Sequence, residues 1–202
     1  MKPDQTPSFE KARTLKGIFV EIGTWDGGFS LELLKNTECE KLYCVDPYKH
    51  FEDSSYPDGM NSLTQEQFDN KYNSIVQKFS QFGSRVEFIR SLSKEASARF
   101  DYESIDFVYI DGNHEYKYVL DDIITWFPKV KSGGYLCGDD IYSTDMNEHD
   151  ADGNITVVWN RDSNGNPMGW GKYGTFAALL KAQKLFKFTF TIDQTQFIIH
   201  KQ

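Results

Sequence analysis

Ile105-Asp106-Phe107-Val108-Tyr109-Ile110-Asp111-Gly112-Asn113-His114 is the stretch whose reading decides the fold. Five of its first six residues are apolar. They are of the β-branched and aromatic types that suit a strand covered on both faces, as in a parallel sheet. The apolar run stops at Asp111, with a glycine next and a histidine three positions after the acid. In an open α/β sheet, ligands sit in the crevice outside the carboxyl ends of the strands. An acid and an imidazole at such an end stand where chemistry is done. Asp-Gly-Asn is also good turn chemistry, and His114 could simply cap the next helix, so the surrounding sequence has to decide between these readings.

Outward from this strand, the chain alternates strand-like and helix-like runs. Towards the N-terminus, Gly17–Gly23 reads as a first buried strand, a glycine-punctuated turn follows, and Leu31 and Leu34 share one face of a helix over Gly28–Lys35. Leu42–Val45 is a second strand ending at Asp46-Pro47, and 48–62 is loop-like. Thr64-Gln65-Glu66-Gln67 fits a capping box opening a helix with a core stripe of Phe68, Tyr72, Ile75, Val76 and Phe79. Gly83 ends that helix, Arg85–Ile89 is a third strand, and Ser91–Phe100 a short helix. After the quoted strand, a helix over Glu115–Phe127 is expected to stop at Pro128. Lys131–Gly134 then reads as a turn into a fifth strand, Tyr135–Cys137, which runs into Gly138-Asp139-Asp140.

Residues 141–172 break the rhythm. They are rich in Asp, Asn and Gly, carry Trp159 and Trp170, and are long enough to suggest a functional loop or lid. Gly174–Lys184 reads as a helix. Phe186, Phe188, Phe190 and Ile192 then alternate, turn at Asp193-Gln194, and return through Phe197–Ile199 as a hairpin. Residues 1–16, with Pro3 and Pro7 opposing an early helix, are expected to form an arm. The pattern predicts an α/β fold in a single domain over 17–202. Its sheet is mostly parallel with a C-terminal antiparallel hairpin, and helices cover both faces.

Composition narrows the function classes. The chain has 202 residues, 39% of them hydrophobic, and a formal net charge of −8. With a pI near 5.0 and no Lys/Arg run, nucleic acid is not expected as the main partner. No stretch approaches the roughly 18 apolar residues of a membrane span. The polar N-terminus lacks the apolar core of a signal peptide. Cys39, Cys44 and Cys137 show no CxxC spacing; Cys44 and Cys137, inside apolar strand-like runs, read as buried small hydrophobes, as suits a reducing compartment. A cytoplasmic protein is expected, without nucleic acid or membrane as partner, and with homo-oligomerisation left open.

Glu21-Ile22-Gly23-Thr24-Trp25-Asp26-Gly27-Gly28 leaves the first strand and opens a helix. Glycines there let a ligand approach the backbone, and a helix N-terminus favours an anionic group. The spacing is not the dinucleotide GxGxxG, which weakens a nicotinamide reading. Asp46 ends strand two about 20 residues after the glycine turn, where an acid can accept both ribose hydroxyls.

Glu-x-Gly-x-x-x-Gly after strand one, an acid after strand two, Asp-Gly-x-His-x-Tyr after strand four and Gly-Gly-Tyr-Leu-x-x-Asp-Asp through strand five resemble a class I S-adenosylmethionine-dependent methyltransferase. The resemblance spans roughly residues 17–140. It is strongest to the metal-dependent O-methyltransferases of the macrocin sugar type, and more distant to the catechol type. It implies a Rossmann-like seven-stranded sheet of order 3-2-1-4-5-7-6 with strand seven antiparallel. S-adenosylmethionine and Mg²⁺, or another divalent cation, would be the cofactors. Glu21, Gly23 and Gly27, with Thr24 and Ser30, would line the methionine end, Asp46 would hold the ribose, and Ser93 would meet adenine. Asp111 would serve cofactor, metal and catalysis, Asp139 and Asp140 would complete a metal triad, and His114 would be the general base.

The expected function is therefore methyl transfer to a hydroxyl of a sugar or glycosylated small molecule. Sugar is preferred because histidine, where the catechol type has lysine, stands at the base position, and because Trp159, Trp170 and Tyr173 could stack on a pyranose. A phenol or catechol acceptor, a non-catalytic nucleoside-binding module on the same fold and a nicotinamide oxidoreductase are the competing readings.

Overall fold

The computed structural model describes residues 2–52, 62–141 and 174–202, together with the backbone of a short antiparallel ladder pairing Glu148–His149 with Ile155–Val157. The strands of the main sheet are β1 (Lys16–Ile22), β2 (Glu38–Val45), β3 (Val86–Ile89), β4 (Ile105–Ile110), β5 (Val130–Gly138), β6 (Phe190–Asp193) and β7 (Gln196–His200). Their order is β3-β2-β1-β4-β5-β7-β6. β1 to β5 pair in parallel, and β7 runs antiparallel between β5 and β6. This is the order that the resemblance implied.

Period-two alternation divides the core between the two faces. Val20, Ile22, Val108, Ile110 and Leu136 point to one face, against Ile123 and Trp126 of α5 (Tyr116–Trp126) and Ala178, Leu179 and Ala182 of α6 (Thr175–Phe186). α4 (Ser93–Ser97) adds Ala96 to this layer. Phe19, Phe107, Tyr109 and Cys137 point to the other face. They meet Phe9 of α1 (Thr6–Ala12), Phe29 and Leu33 of α2 (Gly28–Asn36), and Phe68, Ile75 and Phe79 of α3 (Gln65–Phe79). All three cysteines are free and buried, Cys44 and Cys137 as their apolar runs predict.

The capping box at α3 is present: Thr64 Oγ1 accepts from Gln67 N (3.3 Å) while Gln67 Oε1 accepts from Thr64 N (2.8 Å). Other elements differ from the sequence reading. Residues 3–12 are helical, a 3₁₀ turn at Pro3–Gln5 leading into α1. Pro7 sits in the first turn of α1, where its missing N–H would have no intrahelical partner anyway. The Ser91–Phe100 helix shrinks to α4. The Lys131–Gly134 turn is instead part of a continuous β5, where Gly133 at φ +83° absorbs a register irregularity. Phe186 ends α6 rather than starting the hairpin. Of the 141–172 loop, Ile141 and the backbone of the short ladder are described, whereas Trp159 and Trp170, with Tyr173 after them, lie outside the described residues.

Candidate active site at the strand ends

Ladder hydrogen bonds continue one residue past four adjacent strands. Asp46 N donates to Ile89 O (3.2 Å), Gly23 N to Val45 O (2.8 Å), Asp111 N to Ile22 O (2.8 Å) and Asp139 N to Ile110 O (3.0 Å). The sheet therefore sets Asp46, Gly23, Asp111 and Asp139 in a row along its carboxyl edge. The chain exits are tightly apposed. A Cβ on Gly23, which sits at φ +84°, would lie 2.0 Å from the carbonyl oxygen of Asp111. Only glycine fits there.

The β1 and β2 exits form one half of the site. Glu21 is buried and its Oε2 accepts from the Ser30 hydroxyl, which also lies 3.3 Å from Cys44 Sγ. Burial pushes the Glu21 carboxyl up to about 8, so at neutral pH it is mostly protonated. Asp46 accepts two backbone N–H bonds, Oδ2 from Trp25 (2.9 Å) and Oδ1 from Tyr48 (2.9 Å), and the Tyr48 hydroxyl donates to Trp25 O (2.7 Å). Trp25 (φ +46°) and Tyr48 (φ +42°) both adopt left-handed backbone. That conformation is costly for aromatic residues and recurs at functional sites. Here it aims two amides at one carboxylate. Gly27 is the N-cap of α2 at φ +68°, and Thr24 Oγ1 is buried without a hydrogen-bond partner among the described residues. Ser93 is placed differently. Its hydroxyl accepts from Trp126 Nε1 (2.8 Å) and bonds Asp122, between α4 and α5.

The β4 and β5 exits form the other half. His114 does not cap α5. The N-cap is Glu115, without a side-chain cap bond, and the turn is closed by Asn113 Oδ1 accepting from Glu115 N (3.0 Å). The half-buried imidazole instead places Nε2 3.1 Å from Asp140 Oδ2 and 3.6 Å from Asp111 Oδ1. Its backbone carbonyl accepts from Gly174 N (2.8 Å), which ties it to the start of α6. One ligand atom each from Asp111, His114 and Asp140 lie within 4.8 Å of one another.

Asp139 is turned differently from Asp140, and adopting left-handed backbone at Asp140 (φ +64°) is part of that separation. Asp139 Oδ1 takes three donors: Asp140 N (2.8 Å), Thr195 Oγ1 (2.9 Å) and Gln196 Nε2. Its Oδ2 is buried and has no hydrogen-bond partner among the described residues. Burial and the Asp140 charge raise the Asp139 pKa. Burial and the charges of Asp139 and Asp140 raise that of Asp111. Of the expected triad, Asp111 and Asp140 thus converge with His114, while Asp139 stands behind them with one oxygen fixed.

The sequence reading missed Gln5, Thr195 and Gln196. Gln5 Nε2 donates to Asp111 Oδ2 (3.2 Å). Gln196 is fully buried at the head of the apolar Phe197–Ile199 run, and a polar residue opening such a run was the available signal. Lys2 joins this half too. Burial works against its charge, but Asp111, Asp139 and Asp140 outweigh it and hold its pKa up.

The carboxylate oxygens of Asp111, Asp139 and Asp140 suit a hard divalent cation, which leaves the His114 imidazole free for proton transfer. A buried carboxylate oxygen left unpaired among crowded acids is what such a cation would satisfy, so the residues present fit the metal expected from the sequence.

Comparisons with known proteins agree with this architecture. A protein of Acanthamoeba polyphaga mimivirus without a described function is 29% identical over 127 residues, covering 60% of this chain and 50% of its own length. The chain spans about half the length of that relative. Among solved structures, the O-methyltransferase NovP is similar at a TM-score of 0.59 and 14% identity, covering 97% of this chain and 77% of NovP. The 1,6-didemethyltoxoflavin-N1-methyltransferase of Burkholderia thailandensis, solved with S-adenosylhomocysteine, is similar at 0.54 and 11%, covering 98% of this chain and 76% of that one. At such identities the likeness is one of fold, here the Rossmann-like class I methyltransferase fold. Residues 20–141, from mid-β1 to just past Asp140, match the family described as a methyltransferase domain. The chain belongs to that methyltransferase family.

Proposed function

We propose that this protein is an S-adenosylmethionine-dependent, divalent-cation-dependent O-methyltransferase acting on a hydroxyl of a sugar or glycosylated small molecule. One observation carries the reading: His114 Nε2 stands 3.1 Å from Asp140 and 3.6 Å from Asp111, at strand ends adjacent to the glycine turn after β1. The β1–β2 half supplies what a nucleoside sulfonium needs: a glycine-lined approach, the Asp46 carboxylate for ribose hydroxyls, and Glu21 beneath the methionine end. The β4–β5 half supplies what a hydroxyl needs. Asp111 and Asp140 would hold the cation with Asp139 behind them, and the bound ion would lower the acidity barrier of the acceptor hydroxyl.

The remaining work falls to the chain's own residues. A neutral His114 accepts the hydroxyl proton at Nε2, with Asp140 and Asp111 stabilising the imidazolium that results. The acceptor oxygen forms its new bond to the methyl carbon as the carbon–sulfur bond breaks, and the electron pair goes to sulfur. Positioning of the two partners in line is the main contribution of the fold. The sugar preference rests on histidine as base, since an alcohol is a far weaker acid than a phenol of pKa near 10.

The test is methyl transfer from S-adenosylmethionine across a panel of sugar, glycoside and phenol acceptors, in Mg²⁺ and in excess EDTA. The expected result is an O-methylated sugar product that disappears in EDTA and returns with Mg²⁺. Full activity in chelator would remove the cation from this account, and exclusive methylation of phenols would replace the acceptor class.

A further inference from the structure

The N-terminal helix lies outside the matched family segment, yet it reaches into the acid cluster by two separate routes. In the first, Gln5 donates through Nε2 to Asp111 Oδ2 (3.2 Å) while its Oε1 accepts from Lys2 N (2.9 Å). In the second, Ser8 Oγ lies 2.5 Å from Gln196 Oε1, and Gln196 Nε2 donates to Asp139 Oδ1. Ser8 and Gln196 are both fully buried. α1 is anchored in the core by Phe9 and Ala12.

Both amides have their sense fixed from both ends. If the Gln196 amide were turned over, its carbonyl oxygen would face the Asp139 carboxylate, two acceptors with no proton between them. The Ser8 hydroxyl therefore donates to Gln196, and that bond keeps the amide N–H aimed at Asp139. Gln5 follows the same logic, its oxygen held by the Lys2 amide and its N–H aimed at Asp111. The consequence is directional. Asp139 Oδ1 is saturated by three donors, which fixes the plane of the carboxylate and leaves Oδ2 as the oxygen with unmet capacity among the described residues.

We infer that the N-terminal helical segment 3–12 is a working part of the site: its Gln5 and, through its Ser8, Gln196 of β7 are positioning residues that orient the Asp111 and Asp139 carboxylates for a divalent cation. This rests on the cation-dependent reading above. Hydrogen bonds that orient ligating side chains typically govern cation affinity by about 10–100-fold. They have no reason to govern affinity for a nucleoside ligand bound at the exits of β1 and β2.

The experiment is calorimetric titration of the full chain with Mn²⁺, and separately with S-adenosylhomocysteine, for the wild type, Gln196→Leu, Gln5→Leu and Ser8→Ala, each checked by thermal melting. The Mn²⁺ Kd is expected to rise about 10–100-fold in Gln196→Leu, and by smaller factors in the other two, with S-adenosylhomocysteine affinity unchanged. Should Gln196→Leu fail to fold, Gln5→Leu and Ser8→Ala decide. Unchanged Mn²⁺ affinity in those folded variants overturns the inference, as does an equal loss of both affinities, which would mark a merely structural helix. A wild type that binds no Mn²⁺ overturns the inference together with the cation in the proposed function. A wild type that binds Mn²⁺ beside indifferent variants overturns the inference alone.

Discussion

The exits of β1 and β2 and the exits of β4 and β5 handle negative charge in opposite ways. At the first, Asp46 is matched to two backbone amides, and Glu21 is buried, bonded to Ser30 and pushed up to about 8. That half is electrostatically complete within the protein. At the second, Asp111 and Asp140 stand with His114, their ligand atoms within 4.8 Å, and Asp139 is buried behind them. Two like unit charges at about 5 Å repel by roughly 3 kcal/mol at an effective dielectric near 20. Lys2 offsets part of that field, as its raised pKa records. The contrast teaches that one half matches its acids to donors within the protein, while the other gathers acids around an imidazole and leaves a buried Asp139 oxygen without a hydrogen-bond partner among the described residues.

The largest expected break in this comparison is His114→Ala. If the imidazole is the general base, kcat should fall about 10²–10⁴-fold, with the fold and S-adenosylhomocysteine affinity intact, because the change lies wholly in the second half. Against a phenol the loss should be smaller. Single-turnover rates on a sugar and on a phenol check this, and near-normal turnover in a folded variant would take His114 out of the mechanism.

Asp46→Ala should break the other half. Losing a charge-assisted bond costs about 1.5–3 kcal/mol, read by calorimetry as weaker S-adenosylmethionine binding, while Mn²⁺ affinity stays put. Unchanged cofactor affinity would contradict the ribose assignment.

The smallest effect sharpens the comparison from outside both halves. Asp122 is buried on α5, and burial pushes its carboxyl up to about 7 from an ordinary 3.8. Between those values the folded chain binds more protons than the unfolded one, so this group makes stability fall as pH rises through that window. Asp122→Asn should remove that fall, visible as a flatter dependence of Tm on pH, without touching either ligand's affinity at neutral pH. An unaltered Tm–pH profile would mean that Asp122 does not titrate in this way.

Much of this was legible in the sequence because sheet position is written in periodicity. Val20/Ile22 against Phe19, and Val108/Ile110 against Phe107/Tyr109, alternate faces as the pattern predicts. The apolar runs end where Asp46, Asp111 and Asp139 stand. What escaped has physical reasons. Pro3 and Pro7 argue against a helix interior but are tolerated at its start, so α1 was hidden. Gly133-Gly134 reads as a turn, yet a strand can carry positive φ across an irregular register. Gln5 and Gln196 are distant from the acids in sequence, and only tertiary packing brings them there.

The most direct measurement of the central claim is calorimetric titration of S-adenosylhomocysteine into the wild type in excess EDTA and again in Mg²⁺, with methyl transfer assayed in the same two buffers. If the two halves are independent, the binding isotherms should coincide while transfer occurs only with Mg²⁺. Loss of S-adenosylhomocysteine binding in EDTA would contradict the account, because it would make the acid cluster part of the nucleoside site instead of a separate cation-dependent half.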